Sequence, residues 1–494
     1  MKKLKLFINN QWVDASDGKT FKTFDPSKNE VITELALASD KDVDDAVKAA
    51  RNAFNGGWSE LDADERANYL VKAANIMRRR KSELAEWEAR DVGKPIFETK
   101  QIDIDMAIRA LEYFANLARE IRGQVIPLPG KDFFDYVTYE PYGVVATIVP
   151  WNFPLHIATR SISPALAVGN TVVLKASSLA PITCTLLGEI FKEVGLPAGV
   201  FNVVSGTGSI TGEALLKHDD INLISFTGSV ETARRVIKAS AEGNLKKVIL
   251  ELGGKGPFIA EHDCDINGAV NTLIIGFNLV TGEVCCASTR LYLHEDIYDE
   301  FMELLLRRVN SLKMGDTLDP ETQIGALISK EHLQKVDGFV QEAIANGARL
   351  ITGGERCITP PCDKGNFYKP TILEVDSNSM RCVQEEIFGP VLIVLKYRNL
   401  DDAIKMANDS KYALGATIWS ENVRTLYWTA RKLNAGIVWM NTNEGSKIEA
   451  PYGGNKNSGI GREDGIVGLM EYLRAKNNVL YVGKEYENFY SFTK

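Results

Sequence analysis

Five short apolar runs decide the fold: VVATIVP (144–150), NTVVLKA (170–176), FNVVSG (201–206), LISFTG (223–228) and VILELG (248–253). Each ends in a polar or glycine-rich turn. Helix-like stretches such as ISPALAV, TCTLLGEIFKEVG and VETARRVIKASAE lie among them. Near-continuous apolar strands alternating with helical periodicity imply a parallel sheet buried on both faces by crossover helices. The fold class expected is therefore α/β, with a doubly wound sheet whose ligands bind at the carboxyl ends of its strands.

Working outward, helical periodicity dominates residues 41–118, and DYVTYEPYGVVATIV reads as strands punctuated by Pro141 and Gly143. A second α/β segment runs from about 254 to 453 and contains TRLYLHE, KPTILEV, GPVLIVLKY, GATIWS and GIVWMN. Near the end, NNVLYVG reads as a strand with no partner close in sequence, which another subunit could supply. The division expected is a cofactor-binding domain (1–122 and 142–253), a catalytic domain (254–453) and a small β oligomerisation element (123–141 and 469–494).

The 494 residues carry a formal charge of −8 and no block of basic residues, which disfavours nucleic-acid binding. No apolar run approaches the length of a membrane span, and the opening MKKLKLFINNQW is broken at Asn9. A soluble cytoplasmic protein is expected. Seven cysteines form an odd, scattered set that fits reduced thiols. Five dispersed histidines and no CxxC pair give no reason to expect a metal site. Cys357 and Cys362, in CITPPC, read as an ordinary loop, with a metal or redox role as the lesser alternative.

Three motifs can carry chemistry. GEVCCASTR (282–290) places a thiol just after a glycine turn, although a free cysteine is more often a buried structural one. ELGGKGP (251–257) puts Glu251 at a strand's carboxyl end, where it can be a general base or merely a solvated charge. In VPWNFPL (149–155), two prolines hold a stiff turn from which Asn152 can offer an amide N–H to an oxyanion, or serve as a turn residue. GTGSITG (206–212) and FTGSVETA (226–233) follow strands and can receive a pyrophosphate; tight βα turns explain them equally well.

Together these residues resemble the aldehyde dehydrogenase superfamily. PWNFP, VLKAS, SFTGS, ELGGK, GEVC, EEIFGP and PYGGNKNSGIGRE occur in the family's order across nearly the whole chain. Glu251 follows Asn152 by 99 positions, and Cys285 follows Glu251 by 34, as in the family. The resemblance implies oxidation of an aldehyde to its acid with NAD or NADP. Cys285, not its neighbour Cys286, would be the nucleophile, Asn152 would stabilise the oxyanion, and Glu251 would activate the hydrolytic water. Glu463 resembles a buried carboxylate proposed as a proton relay. The cofactor residues implied are Trp151, Lys175, Ser178, Gly208, Gly212, Phe226, Gly228, Ser229, Leu252, Glu386 and Phe388. Arg160 and Tyr452 are the substrate-binding candidates. A small-molecule aldehyde is the partner implied, with assembly into a homodimer or homotetramer.

Departures from the family pattern are informative. Ser178 stands where NAD-preferring members commonly carry Glu, so repulsion of a 2′-phosphate is absent and NADP should be accepted. Asn278 and Asn455 replace aromatics frequent in the family. The resemblance implies that Arg160 lies on the segment lining the substrate entrance, where members that act on small carboxylated or hydroxylated aldehydes carry Arg; broad activity on aliphatic, aromatic or isoprenoid aldehydes is the alternative. A CoA-acylating enzyme would lack the base that Glu251 supplies. A crystallin-like, non-catalytic protein would be expected to lose the nucleophile, the base or the oxyanion amide.

Overall fold

The computed structural model describes residues 3–443, 445, 447–486 and 490. The parts of the expected division at 1–2, 444, 446, 487–489 and 491–494 lie outside the described residues. The five deciding runs become parallel strands β1 (Val144–Ile148), β2 (Thr171–Ala176), β3 (Phe201–Ser205), β4 (Leu223–Thr227) and β5 (Lys247–Glu251), in the spatial order β3-β2-β1-β4-β5. Helices α1 (Pro154–Ala167), α2 (Ile182–Glu193) and α3 (Val230–Ala241) supply three of the crossovers.

Strand residues point alternately to two cores. Val172 and Leu174 join one, which includes the helices of 63–117, while Val173 joins the other. Both faces are sealed, which is why the strands read as unbroken apolar runs. Each fully buried Val, Leu or Ile contributes roughly 1.5–3 kcal/mol. The strand order reverses between β1 and β4, and the crevice at such a switch point is where doubly wound sheets bind ligands.

The second segment forms a seven-stranded sheet. Its parallel strands are β6 (Gly256–Ala260), β7 (Ser288–His294), β8 (Thr371–Glu374), β9 (Val391–Tyr397), β10 (Gly415–Trp419) and β11 (Ile437–Met440). Arg349–Thr352 closes one edge antiparallel to β8. Strand β6 was not legible in the sequence, because it starts within ELGGKGP and two of its five residues are Gly and Pro. The chain also returns to the first sheet, where Gly459–Ile460 pairs antiparallel with β5 and sets Glu251 opposite Gly459.

The C-terminal strand differs from expectation. Leu473–Tyr481 pairs along its full length with Phe133–Pro141 of the same chain, and Gln124–Ile126 completes a three-stranded sheet. This partner is remote in sequence and lies in the same chain. Among the described residues no helix is long and apolar enough to cross a membrane.

Candidate active site

PWNFP decides how the first strand meets its helix. Pro154 occupies the first turn of α1, where a missing N–H costs nothing, and residues 151–153 form the bend. LHIATRSIS is therefore helical, and Phe153, His156, Ile157 and Arg160 face one cavity. At the corresponding end of β4, the Ser229 hydroxyl accepts from Thr232 N–H and caps α3. Before the thiols, Val280, Thr281 and Gly282 all have left-handed φ (50°, 52° and 76°). This strained turn is anchored by the buried Glu98 carboxylate, which accepts from Val280 N–H at 3.0 Å.

Two cavities meet at Cys285. The larger, about 500 Å³, has a mostly apolar wall that includes Met106, Phe153, Ile157 and Leu279, with His156, Arg160, Cys286 and Tyr452 among its polar members. The smaller, about 250 Å³, contains Trp151, Asn152, Gly228, Ser229, Glu251, Leu252, Glu386 and Phe388. Cys285 lines both, whereas Cys286 lines only the larger.

The Asn152 amide donates to the Glu283 carbonyl at 2.8 Å, which fixes its plane and leaves its second N–H free of that bond. Glu251 is 2% exposed and neither carboxylate oxygen has a partner. Burial, and then the charge of Glu463, hold its carboxyl well above the usual carboxylate range, eased in part by Arg160. Gly453 lies against it: a Cβ there would fall 2.6 Å from Glu251 Oε1.

The two thiols titrate as a pair. A thiol hydrogen bond from Cys285 lowers Cys286 to about 7, and the same bond, followed by burial, pushes Cys285 well up. The Tyr452 hydroxyl lies 3.3 Å from Cys285 Sγ, and its ring stacks on the Arg160 guanidinium at 4.9 Å. Arg160 in turn forms a buried ion pair with Glu463, whose Oε1 accepts from Ser161 at 3.1 Å and Ser225 at 3.3 Å. Tyr452 and Glu463 are held side by side by two reciprocal backbone bonds of 2.7 Å.

The sequence profile described as "Aldehyde dehydrogenase family" matches residues 12–478. The chain belongs to the aldehyde dehydrogenase family. It is 41% identical over 474 residues to an aldehyde dehydrogenase of Enchytraeus buchholzi, covering 96% of this chain and 94% of that one. It is 38% identical to a mitochondrial aldehyde dehydrogenase of Mesocricetus auratus, covering 97% and 95%. Its fold is similar to that of a Bacillus cereus aldehyde dehydrogenase solved as an NAD+ complex, with a TM-score of 0.95, 38% identity and 97% of each chain covered. The protein is thus an NAD(P)-dependent aldehyde dehydrogenase.

For this aldehyde dehydrogenase, the structure gathers Trp151, Asn152, Gly228, Ser229, Glu251, Leu252, Cys285, Glu386 and Phe388 around the smaller cavity. Phe226 is buried beside it, its ring under Gly228. Lys175, Ser178, Gly208 and Gly212 stand outside that wall, at or just beyond the carboxyl ends of β2 and β3. The GTGSITG turn is a short π-helical segment (Gly208–Gly212), not an extended glycine loop. Lys175 is buried and lowered to about 8 by desolvation. Asn278 is buried in a polar contact with the Ile274 carbonyl, and Asn455 accepts from Arg462 at 2.7 Å.

Other residues at the site carried no sequence signal. His332 meets the Phe388 carbonyl at 2.6 Å, packs edge-on to Trp151 and joins Lys335 in the cavity wall. His156 lines the substrate-side cavity with a buried Nδ1 that has no partner. Both histidines lie on helices, where an isolated imidazole cannot be told from a core residue by spacing.

Proposed function

We propose that this enzyme oxidises an aldehyde to its carboxylic acid through a thioester on Cys285 that is hydrolysed by water. The observation that carries this reading is the position of Cys285 at the junction of the two cavities, with Asn152 and Glu251 in the wall of one of them. The Cys285 thiolate adds to the aldehyde carbon, and the Asn152 N–H with the Cys285 backbone N–H meets the oxyanion. NAD or NADP, which Trp151, Gly228, Ser229, Glu386 and Phe388 would hold in the smaller cavity, would supply the acceptor for the hydride. Glu251 then takes a proton from water as the water attacks the thioester, and Glu463, through its contacts with Arg160 and two serines, provides a route for that proton.

The smaller cavity fits a dinucleotide's reactive end. Trp151 and Phe388, packed edge to face with ring centroids 5.4 Å apart, supply an aromatic wall, and Gly228 and Ser229 lie at the N-terminus of α3. Glu386 reaches Gly254 N–H at 2.9 Å because Gly253 has no side chain; a Cβ there would fall 2.2 Å from a Glu386 oxygen. Burial brings this carboxyl up to about 7. Lys175 and Ser178 would take the adenosine ribose, with Gly208 and Gly212 nearby.

With Ser178 half-buried and uncharged, NADP is expected to turn over as well as NAD. Ser178→Glu should lower kcat/KM with NADP by about 10–100-fold and leave NAD less affected, since like charges cost several kcal/mol. Steady-state kinetics with both cofactors check this, and a parent enzyme that uses NAD alone overturns the reading of Ser178.

Arg160 is already paired with Glu463, and its Nε is buried without a partner. The charge offered to a carboxylated aldehyde is therefore offset. The apolar wall and the unpartnered His156 nitrogen favour an uncharged aldehyde with an apolar body and a hydroxyl. Burial, then Arg160, push His156 well down, so it enters as a neutral donor or acceptor. His156→Phe is expected to raise KM about tenfold for hydroxylated aldehydes, the value of one hydrogen bond, with little change for unsubstituted ones. Equal effects on both classes would sink the proposal.

Among the described residues the outer edge of Leu473–Tyr481 is unpaired in its sheet, and Phe133, Phe134, Val479 and Leu480 are exposed around it. We read residues 123–141 and 469–494 as an oligomerisation element, beside cofactor-binding (1–122, 142–253) and catalytic (254–453) domains, and propose a homodimer or homotetramer. Light scattering that returned a monomer would refute it. Seven unpaired thiols fit a reducing compartment such as the cytoplasm.

A further inference from the structure

The two histidines nearest one another in space are 32 positions apart in sequence, at the pole of the second sheet opposite Cys285. Strands β6 and β7 are parallel neighbours with Ala260 opposite Leu293, so Glu261 and His262 just past one strand end meet His294 at the other. One ligand atom from each of Glu261, His262 and His294 lies within 4.8 Å of the others. Strand β7 begins three residues after Cys285 and runs for seven, so this cluster sits about 20 Å from the nucleophile at ~3.3 Å per residue.

Its chemistry is that of a transition-metal site. His294 Nε2 lies 3.1 Å from the Arg398 carbonyl, which only accepts, so Nε2 carries the proton and Nδ1 keeps its lone pair. A backbone carbonyl on the far nitrogen is the partner that orients metal-binding imidazoles. The Tyr397 hydroxyl donates to Glu261 Oε1 at 3.1 Å, and its ring packs edge-on to His294. His262 Nδ1 lies 3.4 Å from Glu261 Oε1, and the exposed Asp296 carboxylate lies 3.7 Å from His294 Nδ1. A metal would displace the amide N–H of Asp296, at 3.2 Å, from that nitrogen. Glu261 and His294 are buried, whereas His262 is 59% exposed, its ring 5.2 Å from that of His294. Donor atoms must close to about 3.4 Å for bonds of ~2.1 Å in a tetrahedral site, a movement within reach of one exposed ring.

We propose that Glu261, His262 and His294, with Asp296 as a fourth donor, bind a divalent transition ion of the zinc class. Neutral imidazoles with carboxylate oxygens suit such ions. The site is separate from the reaction, so aldehyde oxidation does not depend on the ligand residue His262.

The test is calorimetric titration of the full chain with Zn2+ in a Cys285→Ser, Cys286→Ser background, so that the active-site thiols take no zinc. One ion per chain is expected, with a rise in Tm on adding Zn2+ because the folded state alone holds the site. His262→Ala, at an exposed position that should not disturb folding, is expected to weaken binding at least tenfold and abolish the Tm shift. In the unaltered thiol background the same substitution leaves kcat unchanged. Zinc binding that survives His262→Ala, or no binding by the parent, overturns the proposal.

Discussion

Cys285→Ala is expected to lower NAD(P)H formation from an aldehyde by about 10⁴-fold or more, the scale on which loss of a covalent nucleophile is felt. Cys286→Ala should retain activity within about tenfold. The contrast matters because the lower of the pair's two titrations falls on Cys286, at about 7, and thiolate character alone would nominate it. Position argues the other way. Only Cys285 faces the cavity that holds Asn152 and Glu251, so only its sulfur can bring the aldehyde carbon between oxyanion donor and cofactor. The thiol hydrogen bond favours the charge on Cys286 and opposes it on Cys285, whereas the Tyr452 hydroxyl at 3.3 Å acts to lower Cys285. Measuring absorbance on adding aldehyde to each variant decides it. An inactive Cys286→Ala beside an active Cys285→Ala would reverse the assignment.

Glu251→Gln should separate the two halves of the reaction. Thioester formation survives, so rapid mixing is expected to show a burst of NAD(P)H near one equivalent per site. Steady-state turnover falls by about 10²–10⁴-fold, the contribution of a positioned general base. Intact-mass measurement after mixing should find the acyl group on the protein. The pH dependence has a definite sign. Because burial and the charge of Glu463 hold the Glu251 carboxyl above the usual range, it keeps its proton to higher pH than a free carboxyl, and the base form appears as pH rises through that raised value. Hydrolysis in the parent should therefore speed up with pH, and Glu251→Gln should remove the rise apart from that due to hydroxide. No burst in the variant, or an unchanged turnover, would remove Glu251 from its role. The same assay without CoA distinguishes hydrolysis from acyl transfer to CoA.

The first sheet was legible because its five strands are sealed on both faces, so burial wrote unbroken apolar runs into the chain. Strand β6 was not, because its Gly256 and Pro257 belong to the turn after Glu251, and local composition pointed to that turn. The C-terminal strand was legible as a strand but not in its pairing, since Phe133–Pro141 lies more than 330 positions earlier. Pairing across such separations is decided by tertiary packing and leaves no local periodicity.

Cys285, Glu251 and Asn152 could be named from motifs and their spacing, because each chemistry demands one residue type at the end of a strand or turn. The sequence by itself thus determined the fold class and the family, and nominated the groups proposed to react. What only the tertiary structure decided is how those groups are wired. Arg160, a substrate-binding candidate by its position in the chain, is folded onto Glu463, and Tyr452 is turned against Cys285. His156, His262, His294 and His332 acquire their neighbours only when distant strands and helices converge. Charge pairing and ligand geometry depend on distances of a few ångströms between segments hundreds of residues apart, and no spacing rule along one chain encodes them.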